Sequence, residues 1–344
     1  EIQSNGLELS TKLFPIASVP SLDPLYELSA IENKASFLDG VIHPDGSKTL
    51  TGMIRGPEVY IPFLDLVVSE DQNYLYPFVF RLNANDDVVE RRFLLTEQLD
   101  DLNFYVTTDI ADNSLKDYAI LLGASIDSFN LVNRPLFFTG FRVMLYNSSH
   151  EPILDREFLD PSNLRLARAI HLDDNGDVFL LGQRNRQHTI FKLEASDDYT
   201  ESYLDLNGSG FGDRTSPAGL GNYPRNNDNI LLMEENQDGD LVCVYTRVKF
   251  DVFVEVVSKD LVSRSERAIN NGREDEYAEA LCLASNGDII VGTRVIRTND
   301  LDNSGIIYRL NPSLDRVWEV SVDGWIKDIE ETPEGDLMIL HDFQ

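Results

Sequence analysis

LASNGDIIVGTR at Leu283 to Arg294, followed by GIIYRLNPSLDRVWEVSV at Gly305 to Val322, is the stretch whose reading decides the fold. The first half is an apolar run, an Asn-Gly-Asp turn and a second apolar run; the second half repeats the plan around Asn311 and Pro312. The first phrase recurs as VIHPDGSKTLTGMIR (Val41 to Arg55), AIHLDDNGDVFLLGQR (Ala169 to Arg184), MEENQDGDLVCVYTR (Met233 to Arg247) and EETPEGDLMILHD (Glu330 to Asp342). Repeats on this scale specify an architecture before they specify an activity.

Each phrase except the last is followed by a second hairpin, as in FVFRLNANDDVVERRFLL (Phe78 to Leu95) and VFVEVVSKDLVSRSERAI (Val252 to Ile269). Alternation with period two marks these runs as half-buried strands, and Asn, Ser and Asp fill their turns. First and second hairpins combine into a four-stranded unit, a-b-c-d. A less regular unit fits at Leu102 to Ser125. The last a-b pair runs into Gln344, and SNGLELSTKLF (Ser4 to Phe14) reads as the outer strand that completes it. The expectation is a single all-β domain over 1–344, a six-bladed β-propeller of four-stranded antiparallel blades. The expected blades span 36–95, 102–159, 166–206, 229–269, 276–322, and 325–344 together with 4–14. Pairing the termini removes exposed strand edges. Strand c of the closing blade is not evident, which leaves seven blades or a shortened chain as alternatives.

A net charge of −30 argues against bulk affinity for nucleic acid and for anionic membrane surfaces. It is compatible with divalent cations. No apolar run reaches the roughly 18 residues of a spanning helix. The chain starts at Glu1 rather than Met, from which we expect a removed targeting segment and an extracytoplasmic protein, whether periplasmic, cell-surface or secreted. Cys243 and Cys282, the two cysteines, sit inside apolar runs and read as buried free thiols.

The Gly287 to Val322 stretch resembles the repeats of bacterial secreted β-propellers, which pair a Gly-turn hairpin with an apolar-x-x-Leu-Asp…Trp hairpin. The resemblance extends over nearly the whole chain and implies the fold and an exported location, without chemistry. The WD dipeptide, paired-Gly kelch pattern and sialidase Asp box are absent. Asn226-Asn227-Asp228 only faintly echoes a motif of calcium-dependent propeller phytases.

In a propeller the start of strand a, the end of strand b and the b-c and d-a connections open on one face. Aligned on Gly46, Gly176, Gly239 and Gly287, four phrases end strand b with Arg55, Arg184, Arg247 and Arg294. Eight residues before the turn glycine lie Arg168, Glu279 and Lys327. Such a set reads as a partial ring of ligand-binding guanidinium groups suited to carboxylate, sulfate or phosphate. The competing reading pairs each arginine with an acid as repeat framework. Three long connections map to the same face: 56–77 with its aromatics, 124–139, and 206–228 with Arg214, Tyr223 and Arg225. Aromatics beside Asn, Asp and Arg suit glycan binding, and Tyr223 joins the candidate ligand-binding residues. GSGFG at Gly208 to Gly212 opens no helix and is no nucleotide site.

Asp300, Asp302 and Ser304 match the first half of a calcium loop, but Asn311 stands where the bidentate Glu would be; calcium remains the one cofactor the sequence suggests. The five histidines show no zinc spacing. Asp39, Glu279 and Asp328, near strand a starts, could supply paired carboxylates for acid and base work. The favoured function is binding of a glycan, an anionic small molecule or a protein. The alternative is a hydrolase or lyase acting on carbohydrate or a lactone, with or without the assistance of a metal. Fold analogy does not choose between them.

Overall fold

The a-b hairpins form because their turns are closed by their own residues. In a computed structural model describing residues 35–43, 45–56, 59–61, 66–68, 74–94, 104–125, 138–159, 166–185, 187–206, 231–247, 251–269, 275–296 and 304–341, one turn closes all six a-b hairpins and returns in four of the c-d hairpins. His43, Asn113, Asp173, Asn236, Ala284 and Thr332 each donate N–H to the carbonyl four residues on and accept from the N–H three residues on. The accepted N–H belongs to a residue in the left-handed region, Gly46, Gly176, Gly239, Gly287 or Gly335 at φ +80 to +86°. Glycine takes that conformation without steric cost. The second blade has Lys116 there at φ +66°, which is why its repeat is the hardest to see in sequence. The opening Asn or Asp adds side-chain bonds: Asp173 Oδ1 accepts from the N–H groups of Asn175 and Asp177, both at 2.9 Å. Asn236 does the same at 3.0 and 2.9 Å. These acidic turns therefore spend their oxygens on backbone.

Five four-stranded antiparallel sheets follow. Blade I contains β1 (Ala35–Ile42), β2 (Lys48–Gly56), β5 (Tyr74–Leu82) and β6 (Val88–Phe93). A small ribbon of β3 (Val59–Ile61) and β4 (Leu66–Val68) is inserted between β2 and β5. Blade II contains β7 (Phe104–Asp112), β8 (Tyr118–Ser125), β9 (Phe138–Tyr146) and β10 (Pro152–Leu159). Blade III contains β11 (Leu166–Leu172), β12 (Val178–Arg184), β13 (Gln187–Glu194) and β14 (Thr200–Asp205). Blade IV contains β15 (Leu231–Glu235), β16 (Leu241–Arg247), β17 (Asp251–Val257) and β18 (Ser263–Ala268). Blade V contains β19 (Asp275–Leu283), β20 (Ile289–Ile296), β21 (Ser304–Leu310) and β22 (Arg316–Asp323). A last hairpin, β23 (Ile326–Glu331) with β24 (Leu337–His341), stands in the next position. The first strands touch in chain order, β1 to β7, β11, β15, β19 and β23, so the sheets are arrayed as the blades of a propeller. Five blades are complete; residues 4–14, read as the closing strand, lie outside the described residues.

The core lies between blades rather than within one sheet. Phe141, Val143 and Leu145 of blade II pack on Ile170, Val178 and Leu180 of blade III. Val242, Val244 and Val254 of blade IV pack on Val291, Tyr308 and Leu310 of blade V. Strands b and c are covered on both faces, so β12 is buried along nearly its whole length. This corrects the reading of most runs as half-buried. True alternation is confined to outer strands such as β18 and β22, whose second face meets water. Each fully buried Leu, Val, Ile or Phe contributes about 1.5–3 kcal/mol.

Candidate functional site at the long-connection face

The two faces of the propeller differ in what they leave available. On the tight-turn face, successive blades are tied turn to turn. His43 Nδ1 lies 2.6 Å from Asp112 Oδ2 and Nε2 lies 2.8 Å from Thr49 Oγ1. Ser114 N–H donates to Asp174 at 2.9 Å, and His171 Nε2 lies 2.7 Å from Glu235. Ser285 N–H donates to Glu331 at 2.6 Å. The strand ends that flank residues 57–73, 95–103, 126–137, 207–230 and 297–303 lie at the opposite face.

Near that face strand a carries a repeated irregularity. Register shifts fall between Phe37/Asp39, Thr107/Asp109, Ala167/Ala169, Ala278/Ala280 and Ile326/Asp328. The extra residues are Leu38, Thr108, Arg168, Glu279 and Lys327, all at the position eight before the turn's left-handed residue. A bulge bends the strand and re-aims its side chain, so the residues chosen by register share a structural cause. Burial lowers the pKa of Arg168.

Arg294, Glu279 and Lys327 converge at the seam between blade V and the last hairpin. Arg294 is buried, its Nε 2.9 Å from Glu279 Oε1. Its guanidinium lies 5.0 Å from the ring of Tyr277 and 5.0 Å from that of Trp325. The Lys327 ammonium lies 5.3 Å from the Trp325 ring centre. The segment Trp325-Ile326-Lys327 is held by Ile326, which is wholly buried against Gly292 and Gly305. A methyl added at Gly292 would stand 2.7 Å from Ile326 Cγ2, and one at Gly305 2.8 Å from Ile326 Cγ1.

Arg184 goes elsewhere. It reaches outward along its own blade, 2.9 Å from Asp205 and 3.5 Å from the Tyr203 ring centre, both on β14. The two described guanidinium groups thus diverge, Arg184 toward an outer strand and Arg294 toward an inner one. Arg55 and Arg247 lie in β2 and β16 by backbone; their side chains, like Tyr223, Asp300 and Asp302, lie outside the described residues. Ser304 opens β21 opposite Val295 and Asp323. Among the described residues no group of three or more His, Cys, Asp or Glu is placed to hold a metal.

The carboxylates Asp39, Glu279 and Asp328 do not meet one another among the contacts described. Glu279 pairs with Arg294. Asp39 Oδ1 accepts from Gly40 N–H at 2.8 Å and Oδ2 from Ile110 N–H at 3.2 Å. Asp109 in turn accepts from Ile110 N–H at 3.0 Å and Ile170 N–H at 2.7 Å. The two acids stitch three inner strands together. Burial, then the hydrogen bond and charge of Asp39, raise the Asp109 carboxyl well above the usual range. Farther round, burial pushes Glu234 up to about 7, with Glu330 and Asp328 adding to the effect against a hydrogen bond from Leu283. Asp109 and Glu234 escaped the sequence reading. Aligning blade II on Lys116 would have put Asp109 beside Asp39; Glu234 shares Glu330's place, five before the turn glycine.

No known protein family matches the sequence, and no curated protein does. Among solved structures the chain is similar to the intramolecular trans-sialidase of Ruminococcus gnavus, at 8% identity and TM-score 0.49 over 91% of each chain. It is similar to the Dos1 propeller at 10% identity and TM-score 0.48, over 89% of this chain and 67% of that one. A protein of unknown function from Bacteroides caccae is similar at 9% identity and TM-score 0.37, over 74% of this chain and 94% of that one. Likeness at this level assigns no chemistry, and the blade architecture rests on the paired strands themselves.

Proposed function

We propose that this chain is an extracytoplasmic binding propeller that takes a glycan, an anionic small molecule or a protein on its long-connection face. One observation carries the reading: the tight-turn face commits its polar groups to bonds between blades, whereas the longer connections leave from the other. Arg294, Lys327 and Trp325 are gathered at that second face on rigid strands, the placement a precise binding site needs. Long connections on a rigid scaffold are where folds usually bind.

The same proposal includes six blades over a single domain. The β23–β24 hairpin lacks outer strands among the described residues, and Met338 and Leu340 are 57% and 64% exposed on it. In this proposal Ser4 to Phe14 supplies the closing strand, which would cover the β24 edge. A second reading, a hydrolase acting through Asp39 and Asp109, draws on their closeness and on the raised Asp109 carboxyl. Their backbone bonds to Ile110 and Ile170 favour an architectural role instead.

The test is a thermal-shift screen of neutral and acidic oligosaccharides and small acids, followed by calorimetry on the hits. Ligands whose affinity falls with changes at Lys327 or Trp325, and not at the tight-turn residue Lys116, support the reading. Hits lost only on changing Lys116 would sink it.

A further inference from the structure

At the seam between β20 and β23 one buried donor stands out beside two cationic side chains. The indole Nε1 of Trp325 is shut off from solvent and has no hydrogen-bond partner among the described residues. A buried N–H without an acceptor is costly, and native proteins rarely keep one without a reason. The Lys327 ammonium and the Arg294 guanidinium lie 5.3 and 5.0 Å from the centre of the same indole ring. Ile326, fixed against Gly292 and Gly305, prevents the three from relaxing apart.

We propose that this seam is a subsite for a carboxylate; the inference rests on the face assignment above. The Trp325 indole N–H donates to one oxygen of the ligand carboxylate and Lys327 to the other. Arg294, anchored by Glu279 at 2.9 Å and stacked on Tyr277, adds positive potential without leaving its place. A planar two-oxygen group matches one fixed N–H and one mobile ammonium. The nearby Glu279 and Asp328 disfavour a dianion such as phosphate more than a monoanion, since repulsion scales with ligand charge. A neutral ligand would gain the N–H bond alone.

The chain has two tryptophans, so Trp318→Phe leaves Trp325 as the sole indole reporter. The indole ¹H–¹⁵N resonance of that variant is followed while sodium glucuronate, sodium acetate or glucose is added. A saturable shift with the carboxylates and none with glucose is expected. By calorimetry, Lys327→Ala and Trp325→Phe should each weaken glucuronate binding about tenfold or more, because each removes one bond to a charged group. Glucuronate binding tighter than acetate identifies a sugar acid; equal affinity identifies recognition of the carboxylate alone. An indole resonance indifferent to both carboxylates at millimolar concentration overturns the proposal. So does undiminished binding in Lys327→Ala, an exposed position that keeps the test valid if Trp325→Phe fails to fold. A ligand that docks on this face yet ignores both substitutions overturns the subsite and leaves the face assignment standing.

Discussion

Replacing Gly292 by Ala tests how the last hairpin is held. Gly292 has no left-handed backbone to protect, so substitution acts through space alone. The new methyl would lie 2.7 Å from Ile326 Cγ2, 2.9 Å from Ile329 Cδ1 and 3.3 Å from Ala280 Cβ. Ile326 and Ile329 are 0% and 1% exposed, and Cγ2 moves only with χ1, the stiff torsion of a β-branched residue, so clearing the methyl requires a rotamer change inside a packed core. Overpacking of this kind costs about 1–3 kcal/mol, offset by about 0.4–1 kcal/mol from the stiffer unfolded chain. The expected net loss is about 1–2 kcal/mol. Ile326→Ala alone should cost about 2–5 kcal/mol. In the double variant the methyl at 292 fills part of the space Ile326 leaves, so the two losses should fall short of additivity by about 1 kcal/mol. Urea denaturation followed by circular dichroism measures all four proteins. A neutral or stabilising Gly292→Ala, with strictly additive losses, would refute the packing of β23 on blade V.

Further outcomes follow from the same contacts. Glu234 is held protonated in the fold to about pH 7 but ionises near 4.5 when unfolded. The folded state therefore binds more protons between those values, and stability falls as pH rises through the window. Glu234→Gln should lose that dependence and gain on the parent by about 2–3 kcal/mol at pH 8, read from denaturation midpoints at pH 4 and pH 8. By the same sign, Asp109→Asn, which mimics the protonated acid, should be tolerated better at pH 8 than at pH 4; the reverse order would mean Asp109 is ionised in the fold. Tyr245 donates to the wholly buried Glu255 at 2.9 Å, and Tyr245→Phe should cost about 1–3 kcal/mol, measured by denaturation. Deleting residues 1–34 should lower the melting temperature and promote association through the β24 edge; an unchanged melt and a monomeric truncation by light scattering would exclude them as the closing segment.

The blade repeat is legible because its signals are local. The turn glycines at 46, 176, 239, 287 and 335 and the opening Asn or Asp residues write the a-b hairpins into the sequence. Lys116 breaks that signal in blade II, and with it went Asp109. Contacts between blades are not local. The outward course of Arg184 to Asp205, against the inward course of Arg294 to Glu279, depends on packing that strand register does not encode. The bulges at Arg168, Glu279 and Lys327 explain why one repeat position drew attention, although periodicity alone places no bulge there. Trp325 was passed over because a lone aromatic between two strands gives no sequence signal; its meaning comes from the two cations near its ring.

Hydrogen exchange measured with and without a saturating ligand from the screen tests the central claim most directly. The account predicts slowed exchange at the ends of β12 and β20 and at Trp325 to Lys327, with the turns at Gly46, Gly176, Gly239, Gly287 and Gly335 unchanged. Protection confined to those turns would place the ligand on the opposite face and contradict it.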